Sequence, residues 1–509
     1  MGKIAVAIIV SLWVIPISFV VNKIVPDPYM DEIFHIPQAQ RYCRGDFKTW
    51  DPMITTPPGL YYVSLAYVAS LFPGMWFARA VQSFPELCST AYLRSTNAFL
   101  AIICSVLVYD ILITLRPSLG ERKATFYAIL TALYPVHWFF TFLYYTDVAS
   151  LTTVLAMYLA SLKKQYWASA MLGALATLSR QTNVVWMVFV AADGAIRFCE
   201  EFYSVDCVKR ADDKEKLNKD EVVADKSTLT APTLRKRRMG SSGSNINSSK
   251  SVVIKNACHA QGFIDDILDV AFKLWCLKWK VLVSFAPFLM VLVAFVTFVI
   301  KNGSIVLGAK EAHVVSPHFA QMLYFALFSA AVLAPVHFSL DQVVSVCRSL
   351  WKNKLCSSVQ LLIALIIGFF VVHLFSIAHP YLLADNRHYP FYIWRKVIQA
   401  HWAAKYLLVP VYVYSWTSII TILGKSQRKI IVVLFIATTA LVLIPAPLIE
   451  FRYYTIPFFF LFFLSQNDAN MKLVFVVALY IAVDMFTMMM FLFRPFHWDH
   501  EPGAQRFLW

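Results

Sequence analysis

An all-α, polytopic membrane protein is the fold this sequence predicts, and three observations predict it. Of its 509 residues, 59% are hydrophobic and 15% charged, with a mean hydropathy of +0.61, more apolar surface than a water-soluble chain of this length can bury. Apolar runs of near-spanning length recur along the whole chain. Between them Lys and Arg gather in short clusters, the pattern that encodes membrane topology. The formal net charge of +15 therefore reads as orientation and attraction to membrane lipid headgroups, not as a nucleic-acid footprint.

The first run, Ile4 to Val21, follows Lys3 and ends without a small-residue cleavage pattern, so it is expected as a retained anchor. With the amino terminus inside, the loop spanning residues 23–92 lies on the far side. Within that loop, Gly59 to Phe72 offers roughly fifteen apolar residues where about twenty are needed to cross. Counting it as a span would also turn Arg116, Arg122 and Lys123 outward, so it is expected as an interfacial or re-entrant helix. Spans follow at Leu93 to Leu115, Phe126 to Leu143, Val148 to Leu162, a short Tyr166 to Leu178, and Val184 to Phe198. From Cys199 to about Lys278 the composition turns polar and rich in Ser, Asn, Lys and Asp, too poor in apolar residues to offset ordering entropy. This stretch is expected as a largely disordered inner loop. Its tetrad Arg235-Lys236-Arg237-Arg238 reads as a headgroup contact, and amphipathic Phe263 to Trp279 as a surface helix. Further spans are Val281 to Ile300, Met322 to Phe338, Leu361 to Ile377, one ending at Lys425, Ile430 to Ile444, and two apolar runs closing at Arg494. The positive-inside pattern then gives about thirteen spans. The chain divides into an N-terminal membrane module, 1–198, the polar insert, 199–278, and a C-terminal membrane module, 279–509.

This topology sorts the polar residues. Lys and Arg clusters without aromatics fall inside, while clusters mixing carboxylate, His, Arg and Tyr fall outside: Asp31, Glu32, His35, Asp147, Arg180, His313, His318, Asp385, Arg387, His388, Glu450 and Arg452. The outer face is therefore the expected chemical face. Its densest feature is Asp27-Pro28-Tyr29-Met30-Asp31-Glu32-Ile33-Phe34-His35, directly after the first span. Ionised groups near a bilayer lose hydration, which marks such a cluster as a functional site, although a solvated loop accounts equally for acids that face water. No metal-binding spacing is present, since His313 and His318 lack a His-Glu-x-x-His or paired-Cys context. A Walker loop, a dinucleotide fingerprint and a Gly-x-Ser-x-Gly elbow are also absent, which disfavours nucleotide-driven pumps and serine hydrolases.

The run Pro28-Tyr29-Met30-Asp31-Glu32-Ile33-Phe34-His35 through Cys43, then Trp50-Asp51-Pro52-Met53-Ile54-Thr55-Thr56-Pro57-Pro58-Gly59-Leu60-Tyr61, resembles the first lumenal loop of the endoplasmic-reticulum α-1,2-glucosyltransferase family. Similar matches occur at Phe142 to Asp147, Arg180 to Asn183, His379 to Tyr389, Glu450 to Tyr454 and the tail from Arg494 to Phe507, so the resemblance covers all but the polar insert. One departure is Gly308-Ala309-Lys310-Glu311, where the family tends to show Gly-Asp-Lys or Gly-Asp-Arg; an acid at position 309 is not essential here unless Glu311 substitutes.

The resemblance implies a multispanning GT-C-type glycosyltransferase of the endoplasmic reticulum membrane with its active site on the lumenal face. Its donor would be dolichyl phosphate glucose and its acceptor a lipid-linked oligosaccharide already carrying two glucoses. A β-linked donor giving an α-linked product means one inverting displacement, which needs a base for the attacking 2-hydroxyl and cations for the departing phosphate. Asp31 is expected as that base, with Glu32 as the fallback or as a group orienting the acceptor. Arg387 and His388 lead for the phosphate, with Arg452 and Arg180 behind them. For Arg452 a structural pair with Glu450 is the competing expectation. His35, Asp147, Asp385 and Tyr381 are placed at the substrates. His313 and His318 either bond the donor phosphate or cap a helix, and Tyr29, Trp50, Tyr61 and Tyr381 either stack on sugars or belong to the interfacial belt. No cofactor is implied. Cys43 and Cys88 share the first loop and can form a disulfide; Asn302-Gly303-Ser304 is a lumenal sequon whose closeness to the membrane weighs against modification, and Asn247 on the inner side stays bare. A secondary transporter and a non-catalytic channel-accessory protein are the rival readings from other classes, the former requiring ionisable groups at mid-span.

Overall fold

The computed structural model describes residues 1–71, 88–224, 262–313, 315–352, 354–466, 470–499 and 501–509. The described residues are mostly helical, and among them six helices are long and apolar enough to cross a membrane: Gly2–Ile24, Thr90–Leu115, Lys278–Asn302, Ser357–Phe375, Ala404–Ser426 and Met471–Phe493. Five shorter apolar helices accompany them. This is a multi-pass membrane protein. Two compact units are distinguished, one formed by Met1–Ala192 with Ser284–Trp509 and the other by Asp193–Val283.

The first unit opens with α1 (Gly2–Ile24), then α2 (Glu32–Cys43) and α3 (Gly59–Leu71) in the first loop, and α4 (Thr90–Leu115). The expected span from Phe126 to Leu143 is instead two helices, α5 (Glu121–Ala132) and α6 (Pro135–Phe140). Pro135 brings no N–H and pushes Tyr134 out of the helical region, to ψ 119°. Next come α7 (Thr146–Leu162), α8 (Tyr166–Ser179) and α9 (Asn183–Ala224). Helix α9 continues well beyond Phe198, so the polar insert begins as helix where disordered chain was expected. The stretch Cys199–Ala224 contains no Gly or Pro and is rich in Lys, Glu and Asp, which sustain helix without apolar content. Residues 225–261, with the tetrad at 235–238 and Asn247, lie outside the described residues. In the second unit, α10 (Phe263–Cys276) exposes Ile264, Leu268, Phe272 and Trp275 along one face.

The second half runs through α11 (Lys278–Asn302), α12 (Ala320–Val332), α13 (Ala334–His337), α14 (Leu340–Lys352), α15 (Lys354–Phe375), α16 (Pro380–Ala384), α17 (Tyr389–Ile393), a π-helical turn at Trp394–Ile398, α18 (Ala404–Leu407), α19 (Val409–Ser426) and α20 (Lys429–Leu443). It ends with α21 (Thr455–Leu464), α22 (Asn470–Phe493) and a small antiparallel hairpin, β1 (Phe496–Trp498) with β2 (Glu501–Gln505). The core sits on α21. All ten residues of Thr-Ile-Pro-Phe-Phe-Phe-Leu-Phe-Phe-Leu are buried, as expected of a helix apolar all round. Phe458 stacks on Tyr134 with ring centroids 4.3 Å apart, and Phe460 on Trp186 at 4.8 Å. A 3₁₀ turn, Phe451–Tyr454, leads directly into this helix, so whatever the turn carries is anchored to the best-packed element of the fold.

The first loop is tied down at several points. Cys43 and Cys88 form a disulfide that joins the end of α2 to the chain entering α4. Gly59 starts α3 against the carbonyl of Leu178, where a Cβ would lie 2.5 Å from the Leu178 carbonyl carbon. Gly308 likewise leaves no room for a side chain against the Pro52 carbonyl, and backbone bonds Leu307 N–H to Thr55 O and Ala309 N–H to Pro52 O clip the 303–313 segment to the first loop.

Candidate active site

Two adjacent carboxylates leave the turn after α1 in opposite directions. Met30 adopts a left-handed backbone (φ 56°), uncommon for a residue with a side chain. It lets Glu32 begin α2 facing inward while Asp31 remains at the rim. The Glu32 side chain is fully buried and accepts four hydrogen bonds: Arg94 Nε at 2.9 Å, Arg94 Nη2 at 2.5 Å, the Tyr144 N–H at 2.5 Å and the Tyr29 N–H at 3.0 Å. Arg94, equally buried in the first turn of α4, also donates to the carbonyls of Val25 and Asp27 and to Asn22 Oδ1. This pair staples α1, α2, α4 and the chain entering α7.

Asp31, by contrast, leaves 43% of its side chain exposed. It precedes α2 without capping it; its Oδ2 instead accepts from Arg452 Nη1 at 2.9 Å. Arg452 also holds Glu450 (Nη2 to Oε2, 2.6 Å) and lies 3.6 Å from Asp147 Oδ2. Its guanidinium sits over the rings of Tyr145 and Phe140 at 5.2 and 5.3 Å. Asp147, in the first turn of α7, accepts from Arg180 Nη1 at 2.5 Å, and Arg180 lies over the Tyr453 ring. Three carboxylates thus surround two guanidinium groups, a formal charge of one negative.

Burial pulls the Asp31 carboxyl upward, but Arg452 above all, with His35 and His388 adding, holds it below the ordinary carboxylate value, so it is ionised at neutral pH. His35, one turn along α2, bonds Tyr61 Oη through Nδ1 at 2.6 Å, and burial lowers its imidazole despite the pull of Asp31.

A second cluster adjoins the first. Asp385 holds Arg387 in a bidentate pair (Nε to Oδ1 and Nη2 to Oδ2, both 2.9 Å), Arg387 Nη1 donates to Gln505 Oε1, and its guanidinium lies 4.5 Å from the Trp498 ring centroid. Burial raises the Asp385 carboxyl, and Arg387 with His388 more than reverses this. His388 Nδ1 is 3.1 Å from the Trp509 carbonyl and its Nε2 is 3.7 Å from Asp385. The C-terminal tail laces the clusters together. Tyr29 Oη donates to the Arg506 carbonyl at 2.8 Å and accepts from its N–H at 2.7 Å, Leu508 pairs with the 387–389 backbone, and burial pushes the Tyr29 hydroxyl up to about 12.

The other expected site residues lie in varied surroundings. Glu32 faces Arg94 and has no open edge for a sugar. Arg452 and Arg180 each already hold carboxylates. His318 is fully buried; burial pushes its imidazole down to about 4, against the carbonyls of Pro447 and Ala446, and its segment packs onto the 444–448 loop. His313 closes a 3₁₀ turn, and its side chain lies outside the described residues. Tyr381 is more than half exposed on α16. Among the described residues no group of three His, Cys, Asp or Glu could hold a metal ion. Sequence reasoning passed over Arg94, whose only signal was an arginine at the mouth of an otherwise apolar run, and the Tyr29 to Arg506 clamp.

Fold and site together define a polytopic membrane protein with a carboxylate and guanidinium cluster where its first loop, its 450–454 turn and its C-terminal tail converge. The chain belongs to the DIE2/ALG10 family, whose model it matches over residues 25–463. It is 54% identical over 514 residues, covering 100% of both chains, to an Arabidopsis thaliana protein named Dol-P-Glc:Glc(2)Man(9)GlcNAc(2)-PP-Dol alpha-1,2-glucosyltransferase. Proteins of that name from Mus musculus and Homo sapiens are 32% and 31% identical, each match covering 96% of this chain and 94% of the relative. No solved structure matches significantly.

Proposed function

We propose that this protein transfers glucose from dolichyl phosphate glucose to the diglucosylated dolichyl-diphosphate oligosaccharide in α-1,2 linkage. The full-length identity of 54% to an enzyme of that name carries this reading. The enzyme is a GT-C-type transferase with about thirteen crossings, divided as modules 1–198 and 279–509 around the insert, and its site faces the lumen of the endoplasmic reticulum.

Asp31 is the base. It is ionised, half-open, and held by Arg452 on a turn rooted in α21. The acceptor 2-hydroxyl oxygen attacks C1 of the donor glucose from the face opposite the phosphate and passes its proton to an Asp31 oxygen. The C1–O bond breaks with its electron pair moving to the phosphate, which leaves as an anion and needs no acid. The developing cationic character at C1 is favoured by the negative charge left over from Asp31, Asp147 and Glu450 against Arg452 and Arg180. That same surplus disfavours phosphate beside Arg452, so Arg452 and Arg180 are positioning groups, and the departing phosphate is assigned to Arg387 and His388 at the rim. Glu32 is a positioning residue acting through Arg94 and Tyr144, while His35 and Asp385 line the substrate space.

The test is transfer by the purified protein in detergent, using dolichyl phosphate glucose and the diglucosylated lipid-linked acceptor. A product one α-1,2-linked glucose larger is expected. Folded protein that leaves the acceptor unchanged would overturn the reading.

A further inference from the structure

Four arginines at the two clusters and beneath them are each compensated by an acid: Arg452 by Asp31 and Glu450, Arg180 by Asp147, Arg387 by Asp385, Arg94 by Glu32. The segment that follows His388 is different. From Asn386 to Ile449 the sequence contains no acid. Helix α17 and the π-helical turn after it carry Arg395 and Lys396 outward, and Lys405 follows at the start of α18. Their partners are aromatic rings: Arg395 over Phe391 at 5.9 Å, Lys396 over Tyr392 at 5.6 Å and Lys405 over Tyr406 at 5.0 Å. Among the described residues none of the three forms an ion pair. Beside them Ile393, Val397, Trp402 (78% exposed) and Leu407 present bare apolar surface. Cations alternating with exposed apolar and tryptophan side chains, from the loop after the membrane-spanning helix Ser357–Phe375 into the first turn of the span Ala404–Ser426, describe a ledge at the bilayer interface. Tyr406 fixes it to α15 through His373 Nδ1 at 2.7 Å and a stack on Phe369. The ledge is on the same side as the site, because the loop between those two spans also carries Asp385, Arg387 and His388. Arg395 lies about 10 Å along the helical path from His388 at ordinary helical rise.

Resting on the transferase reading above, we propose that Arg395, Lys396 and Lys405 form a headgroup subsite for the diphosphate of the lipid-linked acceptor. Charge decides between the two lipid substrates. A diphosphate diester carries two negative charges at neutral pH and a phosphodiester donor one, and three uncompensated cations suit the former. The acceptor's chemistry agrees: its reacting sugar is at the far end of a long glycan, so its lipid diphosphate is held at the bilayer surface and not at Asp31.

Binding and turnover by the full chain in phosphatidylcholine nanodiscs test this. The variant R395Q/K396Q/K405Q is expected to bind a polyprenyl-diphosphate-linked chitobiose about tenfold or more weakly than wild type, the scale of a few interfacial charges, and to show a matching rise in acceptor KM with donor KM unchanged. Salt should weaken wild-type binding and affect the variant little. The charge-conserving variant R395K/K396R/K405R should behave as wild type, which separates charge from folding. Equal binding of the diphosphate probe by wild type and the charge-removing variant overturns the proposal, as does a rise confined to donor KM. A difference that appears only when anionic phospholipid is added to the nanodiscs also overturns it, in favour of bulk surface attraction. Diphosphate binding without glucose transfer by wild-type protein would count against the transferase reading alone.

Discussion

Asp31 and Glu32 are neighbours in sequence, and the two environments they enter are opposites. Glu32 enters a sealed node in which one carboxylate and one guanidinium satisfy each other and nearby backbone groups, with no exposed surface. Asp31 enters an open node in which three carboxylates share two guanidiniums and one of them remains 43% exposed. A closed, neutral pair holds elements together. An open, unbalanced one keeps a basic lone pair available beside a negative field, which is what proton abstraction and a cation-like sugar require. The left-handed Met30 is the hinge that separates the two fates, and local strain of this kind persists where the surroundings over-determine it.

The sharpest way to break this comparison is to neutralise each acid in turn. Asp31→Asn is expected to lower kcat by about 10²- to 10⁴-fold, the range for removing a general base, with the thermal unfolding midpoint in detergent close to wild type. Retained kcat would remove Asp31 from the base role. Glu32→Gln should do the reverse. It leaves the Arg94 charge buried without its partner, a change that costs about 3–5 kcal/mol, so the midpoint falls steeply while the protein that remains folded keeps most of its kcat. Glu32→Gln with a normal midpoint and a collapsed kcat would mean that the sealed node is catalytic after all. A smaller loss, about 2–4 kcal/mol, is expected for the Cys43→Ser/Cys88→Ser double variant, read from denaturation with and without reductant. It loosens the loop that carries both acids without touching either node.

The apolar runs, the long first loop and the mixed polar clusters were legible because hydropathy and charge placement are properties of consecutive residues. Asp31 and Arg452 were both singled out for that reason, yet they lie 421 positions apart, and nothing local indicated that they meet. Arg94 was invisible because it sits at the edge of an apolar run, where a single arginine resembles an interfacial anchor; its worth comes from Glu32, brought to it by a turn that depends on Met30. The break at Pro135 and the onward run of α9 to Ala224 were missed for opposite reasons. Hydropathy alone does not register a missing backbone N–H, and low apolar content does not forbid a helix of good formers. The burial of His318 was likewise not legible, because a histidine near a membrane surface looks the same in sequence whether it is open or enclosed.

The finest distinction between the nodes is their response to pH. Because the Asp31 carboxyl is held below its ordinary value, kcat/KM should stay level through neutral pH and fall only as pH drops through that depressed value, where the base takes up a proton. Removing a positive charge from the open node destabilises the ionised form. Arg452→Gln is therefore expected to move the acid limb to higher pH, and His388→Asn to move it in the same direction by less, since Arg452 lowers the Asp31 carboxyl more strongly than His388 does. Glu32→Gln should leave the limb nearly in place, because Arg452, His35 and His388 are the charges that chiefly lower the Asp31 carboxyl. The same depression gives the Asp31 and Arg452 pair a small stabilising effect above the unfolded carboxyl value, lost as pH falls through the folded one. Profiles of kcat/KM against pH for the three variants decide the matter: a limb that shifts with Glu32→Gln but not with Arg452→Gln would place the titrating base in the sealed node and reverse the roles assigned to the two acids.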